Sequence, residues 1–306
     1  MNNNQLSASH PAKGQKPAAK TAIVTDSIAQ VPEEAVQQLG IYVVPFSLAV
    51  EETVHFDFKS LNLTDLYRRM RQEKDLHLVT SAPSVGQFYE AFKSCWDNGA
   101  ENILYVGLSG RLSHAMAAAE EATRMLREEG EQRPVHLYDS CLATVAQGLL
   151  AIEAARLAEK GVDPETILAH LAEERKRTGF AAGLETLEYL ARGGRIGKAA
   201  YMLGSAIHIL PIITINNNGE VSPVGQRQGY DRLLEEILHY VKKKASGYGS
   251  ITLAVMHADA LPYARKLMSM AVEEFHPEEI YMTDFTPTMV AHTGPGIIGL
   301  AYHWRP

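Results

Sequence analysis

Cysteine is nearly absent: Cys95 and Cys141 are the two present in 306 residues. They lie far apart without a C-x-x-C spacing, which argues against a disulfide scaffold or a thiol redox motif, and free buried thiols in a reducing cytosol are expected. There is no H-E-x-x-H motif and no paired Cys/His cluster, so neither a metal nor a cofactor is expected. Also missing is an apolar run long enough for a membrane helix, which needs about 20 predominantly apolar residues. The longest run, Ala199 to Ile215, is interrupted by Gly204, Ser205, His208 and Pro211 and is expected in the protein interior. Basic charge is scarce outside the first twenty residues. The chain has 29 Lys and Arg against 36 Asp and Glu, and Lys13, Lys16 and Lys20 sit at its start, so the remainder stands at −10. Such a body is not built to neutralise phosphates, which excludes nonspecific nucleic-acid binding. The basic tail, residues 1–19, allows transient contact with a membrane surface. It is polar, has no periodic apolar face and no apolar signal region, and is expected to be a disordered extension.

What is present is a full globular composition, 46% hydrophobic and 21% charged, in a length that suits two domains. From Lys20 onward short β-branched runs alternate with amphipathic stretches, as in a doubly wound parallel α/β domain. Strands are predicted at "TAIVT", "IYVVPFSLAV", "HLVT", "NILYVGL" and "VHLYD". Helices are predicted over 32–39, 63–71, 85–98, 112–129 and 144–160. This domain is expected to span 20–160 and a second, α/β or α+β, to span 161–306. In the second, Asp163 caps a helix that has Pro164 at its first position, and helices also fit 187–192, 199–207, 230–245 and 261–274. Strands are predicted at "FAAGL", around 209–215, at "ITLAVMHA" and at "EIYMTDF", with "NNNGE" as a hairpin turn.

The chemistry is expected at the strand ends. "IVTDS" ends in Thr25, Asp26 and Ser27, "LVTSAPS" in Thr80, Ser81 and Ser84, "VGLSG" in Ser109, and "LYDS" in Asp139 and Ser140. Ligands of an open parallel sheet bind outside the carboxyl ends of its strands, so these four loops are expected along one edge. Ser84 is accounted for otherwise: with Gln87 it forms a capping box.

Known catalytic patterns fail at specific positions. Around Ser109 the order Gly107, Leu108, Ser109, Gly110, Arg111 lacks the last glycine of a hydrolase elbow. "RGGRIGKAA" lacks the spacing of a phosphate loop. What remains is hydroxyls and His292, a set suited to holding an anion such as a carboxylate by hydrogen bonds. The apolar Ala199–Ile215 run and a groove between two domains would accommodate an apolar tail. Two other readings stay open. One is a serine-dependent lipid hydrolase or acyltransferase using Ser109 and His292 with an acid such as Asp26; the other is a binder of some smaller anion.

Six motifs in order, "VTDS" (24–27), "TSAPS" (80–84), "LSG" (108–110), "DS" (139–140), "LEYLARGGRIG" (187–197) and "HTGPG" (292–296), resemble the DegV family, fatty-acid-binding subunits of bacterial fatty acid kinase. The resemblance runs from about Thr21 to the C-terminus. It implies a two-domain α/β fold with a long-chain fatty acid buried between the domains. It assigns the carboxylate to Thr80, Ser109 and His292, with Asp26, Ser27, Ser81, Gly110, Gly294, Pro295 and Gly296 in the supporting loops. It also assigns docking of the kinase catalytic subunit to Arg195; that subunit would make the acyl phosphate for phospholipid synthesis with ATP. The protein itself would be cytoplasmic and noncatalytic. Arg192, Arg195 and Lys198 form a basic cluster beside glycines, as expected of an exposed docking loop. Two positions depart from the family pattern: Arg111 and Leu112 stand where it reads Thr and Tyr.

Overall fold

The structure is a computed structural model and describes residues 20–57, 61–73, 75–204 and 209–306; the expected disordered tail lies outside the described residues. In chain order the strands are β1 (Thr21–Asp26), β2 (Tyr42–Val44), β3 (Ser47–Val50), β4 (Thr53–Phe56), β5 (Leu78–Ser81), β6 (Asn102–Gly107) and β7 (Val135–Asp139). They continue as β8 (Thr178–Gly183), β9 (Ile209–Ile215), β10 (Val221–Gln228), β11 (Ser250–His257), β12 (Glu279–Asp284) and β13 (Ile298–Arg305). The helices are α1 (Glu33–Leu39), α2 (Leu63–Gln72), α3 (Val85–Asp97), α4 (Ala115–Glu128), α5 (Thr144–Glu159), α6 (Pro164–Glu174), α7 (Glu188–Arg192), α8 (Tyr230–Lys244), α9 (Leu261–Phe275) and α10 (Pro287–Thr293).

Three sheets organise these elements. The first is wholly parallel, in the order β2-β1-β6-β7. The "HLVT" strand expected in it goes elsewhere: β5 pairs antiparallel with β3 in a separate sheet ordered β4-β3-β5. "IYVVPFSLAV" is likewise not one strand. Pro45, which has no N–H for a ladder, separates β2 from β3, and each half joins a different sheet. The large third sheet runs β10-β9-β8-β13-β11-β12, antiparallel except for the β11/β12 pair, which makes this half α+β in character.

Local signals act where the sequence predicts. Ser84 accepts from the Gln87 N–H while the Gln87 side chain accepts from the Ser84 N–H, closing the capping box of α3. Asp163 caps α6 with Pro164 at its first position. Asn216 Oδ1 accepts from the N–H groups of Asn218 and Glu220 in the β9–β10 hairpin. The helix expected from residue 112 starts at Ala115. That expected over 199–207 is a 3-10 turn, Gly197–Met202, and residues 205–208 lie outside the described residues.

Thirteen of the sixteen residues of α5 are buried, so the helix is covered on every side rather than on one stripe. It packs on β1 and β6 of the parallel sheet and on β8, β11 and β13 of the large one. One continuous core therefore surrounds it. The opposite face of the large sheet packs on α8 and α9 around Leu233, Ile237, Leu253, Val255 and Leu267. Along β11 the alternation is direct: Ala254 and Met256 face the first core, Leu253 and Val255 the second. The expected division near residue 160 falls just after α5. Both cysteines are free, Cys95 buried and Cys141 partly exposed. Among the described residues no helix is long and apolar enough to cross a membrane.

Candidate functional site

Thr80 lies on β5 and His292 in the last turn of α10, a helix that packs on β3, β5 and α7. Their side chains meet, Thr80 Oγ1 to His292 Nε2, at 2.9 Å. α10 begins as the sequence permits: Thr286 caps it, accepting from the Met289 N–H, and Pro287 takes the first position. Gly294, at φ 77°, ends it by donating its N–H to Val290 O, and Gly296, at φ 85°, turns the chain into β13. Pro295 lies between them. The other ring nitrogen of His292, Nδ1, is buried and has no hydrogen-bond partner among the described residues. It lies against Gly193, where an added Cβ would stand 2.3 Å from it. Burial, and after it the nearby Arg195 guanidinium, brings the His292 pKa down to about 4, so the ring is neutral at pH 7.

This pair stands where two spaces join. Inward is a cavity in which the centre of a water-sized sphere sweeps about 210 Å³. Its walls come from the small and large sheets, from α10 and from the segments that follow the strands of the parallel sheet, and are mostly apolar, among them Phe46, Leu108, Phe180, Ile213, Phe285 and Met289. Outward is a groove, about 400 Å³ by the same measure, bordered by Met70, His77, Tyr189, Arg192 and Gly193. Thr80, His292 and Arg195 border both spaces. Arg195 is exposed and is held in place by donating to Leu112 O (3.1 Å) and Gly193 O (2.6 Å). Nonpolar walls with a few convergent polar groups at one end are what a ligand with an apolar body and a polar head requires. Among the described residues no group of His, Cys, Asp and Glu is arranged to hold a metal ion.

A family model described as the uncharacterised DegV family matches residues 20–304. The chain belongs to the DegV family. A DegV domain-containing protein of Halalkalibacterium halodurans is 32% identical over 284 residues, covering 93% of this chain and 98% of the relative. A DegV family protein of Thermus thermophilus, described by its fatty acid binding, superimposes with a TM-score of 0.85 at 27% identity, over 93% of this chain and 99% of its own. A stearic-acid-binding protein of Eubacterium ventriosum has the same fold, with a TM-score of 0.85 at 23% identity over 93% and 98% of the two chains.

Within this DegV fold the motif residues divide. Thr80 and His292 come together. Ser109 does not join them: it is fully buried, donates its hydroxyl to Gly219 O at 2.9 Å and accepts from the Arg111 N–H. Asp26, the acid of the hydrolase reading, is also fully buried. It accepts from Tyr105 Oη, the N–H groups of Ile28 and Leu108, and Gln147 Nε2. Burial raises its pKa, and these bonds oppose the rise. Ser109, His292 and Asp26 thus each bond a different partner, and no nucleophile–base pair is formed. Gly110 donates its N–H to Asp139, Ser140 donates to Gly107 O, and Ser81 is exposed on β5. The expected gathering of four loops on one edge holds for the three from the parallel sheet; the Thr80 loop arrives from the small antiparallel sheet.

Arg192, Arg195 and Lys198 are all exposed, as a docking loop requires. The Ala199–Ile215 run is only partly interior: Ile213 and Ile215 line the cavity, whereas Tyr201 is 78% exposed. Sequence reasoning missed α10 as an element. Its signal, Thr-Pro before an apolar stretch ended by glycine, is of the same kind as Asp163-Pro164. It also missed Asp57, which lies behind the site and follows a four-residue strand with no motif of its own.

Proposed function

We propose that this protein binds a long-chain fatty acid, with the tail in the apolar cavity and the carboxylate at Thr80 and His292. The observation that carries the reading is the placement of this hydrogen-bonded pair at the junction between an apolar cavity and an open groove bordered by arginines. A carboxylate there accepts from the Thr80 hydroxyl while the neutral imidazole supports that hydroxyl through Nε2. The fatty acid binding described for the Thermus thermophilus relative supports the same assignment. A head group at this junction borders the outer groove, the geometry needed for presentation to a fatty acid kinase in the cytoplasm. Arg195, exposed beside the head group, is the docking residue in this reading. Ser109 backs the loop that carries Leu108 and Leu112 to the cavity wall.

Native mass spectrometry of the purified protein, followed by denaturation and identification of the released molecule, tests the binding. A stoichiometric long-chain acid is the expected result; affinity for added acids that is independent of chain length would overturn it. For presentation, Arg195→Ala should retain lipid binding and lower phosphorylation of the bound acid by a fatty acid kinase. Unchanged phosphorylation removes the docking role.

A further inference from the structure

Asp57, directly after β4, is 1% exposed and does not line the cavity. Its Oδ1 accepts from the Thr288 N–H (3.1 Å) and from Thr288 Oγ1 (2.9 Å), in the first turn of α10. Its Oδ2 accepts from Ser27 Oγ (2.7 Å), which itself accepts from the Phe46 N–H (2.9 Å), and the Asp57 N–H donates to Phe46 O (3.0 Å). One buried carboxylate therefore ties the turn after β1, the β2–β3 link and α10 together. Ile28, Phe46 and Thr288, at or beside these three attachment points, all face the cavity.

The topology makes this more than a general brace. β4 pairs with β3, and β3 pairs with β5, placing Leu48 opposite Thr80. Asp57 and Thr80 thus extend from one small sheet. Thr288 and His292 are four residues apart on α10 and share one face of it. α10 is fixed to the small sheet at both ends of that face, by Asp57 to Thr288 and by Thr80 to His292. From this two-point attachment we infer that Asp57 is a positioning residue for the head-group site, setting the register of α10 that brings His292 to Thr80. Without the first attachment, the Thr80–His292 bond and the packing of this seven-residue helix on β3, β5 and α7 are left to set its register.

The inference rests on the proposed carboxylate binding, and its test separates the two. Affinities for palmitic acid and for hexadecanol, which has the same chain and an uncharged head, are measured for the full chain and for Asp57→Ala, Thr288→Val, His292→Ala and the Asp57→Ala/His292→Ala double variant. Palmitic acid is expected to bind the natural protein more tightly than the alcohol; equal affinities would overturn the proposed binding reading itself. With that preference present, Asp57→Ala should lower the acid-over-alcohol ratio about tenfold, as loss of a buried hydrogen bond to the head group implies. The double variant should lose no more than His292→Ala alone. An Asp57→Ala protein that weakens acid and alcohol equally, or keeps the natural ratio, overturns the positioning role. If that variant does not fold, Thr288→Val decides in the same way: it removes one Asp57 bond and keeps the helix, and an unchanged ratio refutes the inference.

Discussion

Two polar regions of the molecule carry the same kinds of side chain and differ in what those side chains have left to offer. At the carboxyl edge of the parallel sheet, Thr25 donates to Val106 O, Asp26 accepts from four donors, Ser140 bonds Gly107, and Ser109 bonds Gly219. These groups bond one another and fix the loops; of this set Gln147, a donor to Asp26, keeps a buried Oε1 without a partner among the described residues. At the cavity mouth, Thr80 and His292 meet each other's needs once, and His292 keeps an unpartnered Nδ1 and a depressed pKa. A buried polar atom left unpaired lowers stability and is a reason to look for a ligand. Thr80 and His292 also border the cavity, which Thr25, Asp26, Ser109 and Ser140 do not, so in the proposed reading the first region is scaffold and the second holds the ligand, although both sit in motifs of one family.

Breaking the scaffold should have the largest effect. Asp26→Ala leaves the Tyr105 hydroxyl and two backbone N–H groups without their acceptor in a fully buried place, and leaves Gln147 Nε2 with Thr25 Oγ1 and Val106 O alone. The expected loss is about 3–5 kcal/mol in urea unfolding. A loss below about 1 kcal/mol would show that this edge is not held as described.

The mouth should reveal itself through pH. His292 has a folded pKa of about 4, below the usual 6.5, because of burial first and Arg195 second. Between those values the unfolded chain takes up a proton that the folded protein refuses, so stability falls as pH falls from 6.5 to 4 and this contribution levels off below. The difference is on the order of 3 kcal/mol. His292→Gln should flatten the profile in that window, and bound fatty acid should recover part of the loss, since a nearby carboxylate favours the protonated ring. Profiles of equal slope for the natural protein and the variant would remove His292 as the titrating group.

The comparison becomes sharper in binding. Thr80→Ala and His292→Ala should each weaken fatty acid affinity by about 1–3 kcal/mol. Ser109→Ala should chiefly weaken the fold, by about 1–2 kcal/mol, through the orphaned Gly219 carbonyl. Titration calorimetry on all three variants distinguishes the regions. An affinity loss for Ser109→Ala equal to that of His292→Ala would move Ser109 from scaffold to ligand.

How much of this division could be read beforehand depended on how local each signal was. The Ser84 capping box, the Asp163-Pro164 start and the Asn-rich hairpin are set by neighbours within four residues, and each forms as predicted. The strand ends of the parallel sheet were legible because β-branched runs end in hydroxyl and acidic residues. That β5 leaves this sheet for β3 was not legible, because pairing direction is a tertiary choice that its four residues do not encode. The Thr80–His292 contact spans 212 positions and rested on resemblance alone. Whether a serine in a known motif faces a ligand or a carbonyl depends on a loop 110 residues away, at Gly219, which no pattern around Ser109 contains.

The smallest expected effect isolates the mouth from its surroundings. Gly193 and Gly194 are adjacent, yet a methyl group meets different things at each. At Gly193, with ordinary φ of −74°, an added Cβ would stand 2.3 Å from His292 Nδ1; at Gly194, with φ of 69°, it would meet nothing within 4 Å. Gly194→Ala should therefore cost about 1 kcal/mol in folding, through backbone strain, and leave fatty acid affinity unchanged. Gly193→Ala should have little backbone cost but push the imidazole away from Thr80, lowering affinity by about 1 kcal/mol as the hydrogen bond lengthens. The pair of variants reads as a crossed pattern, stability lost in one and affinity in the other. Parallel losses in both would mean that the Gly193–Gly194 turn acts on the site as a unit and that contact with the His292 ring is not what selects glycine at position 193.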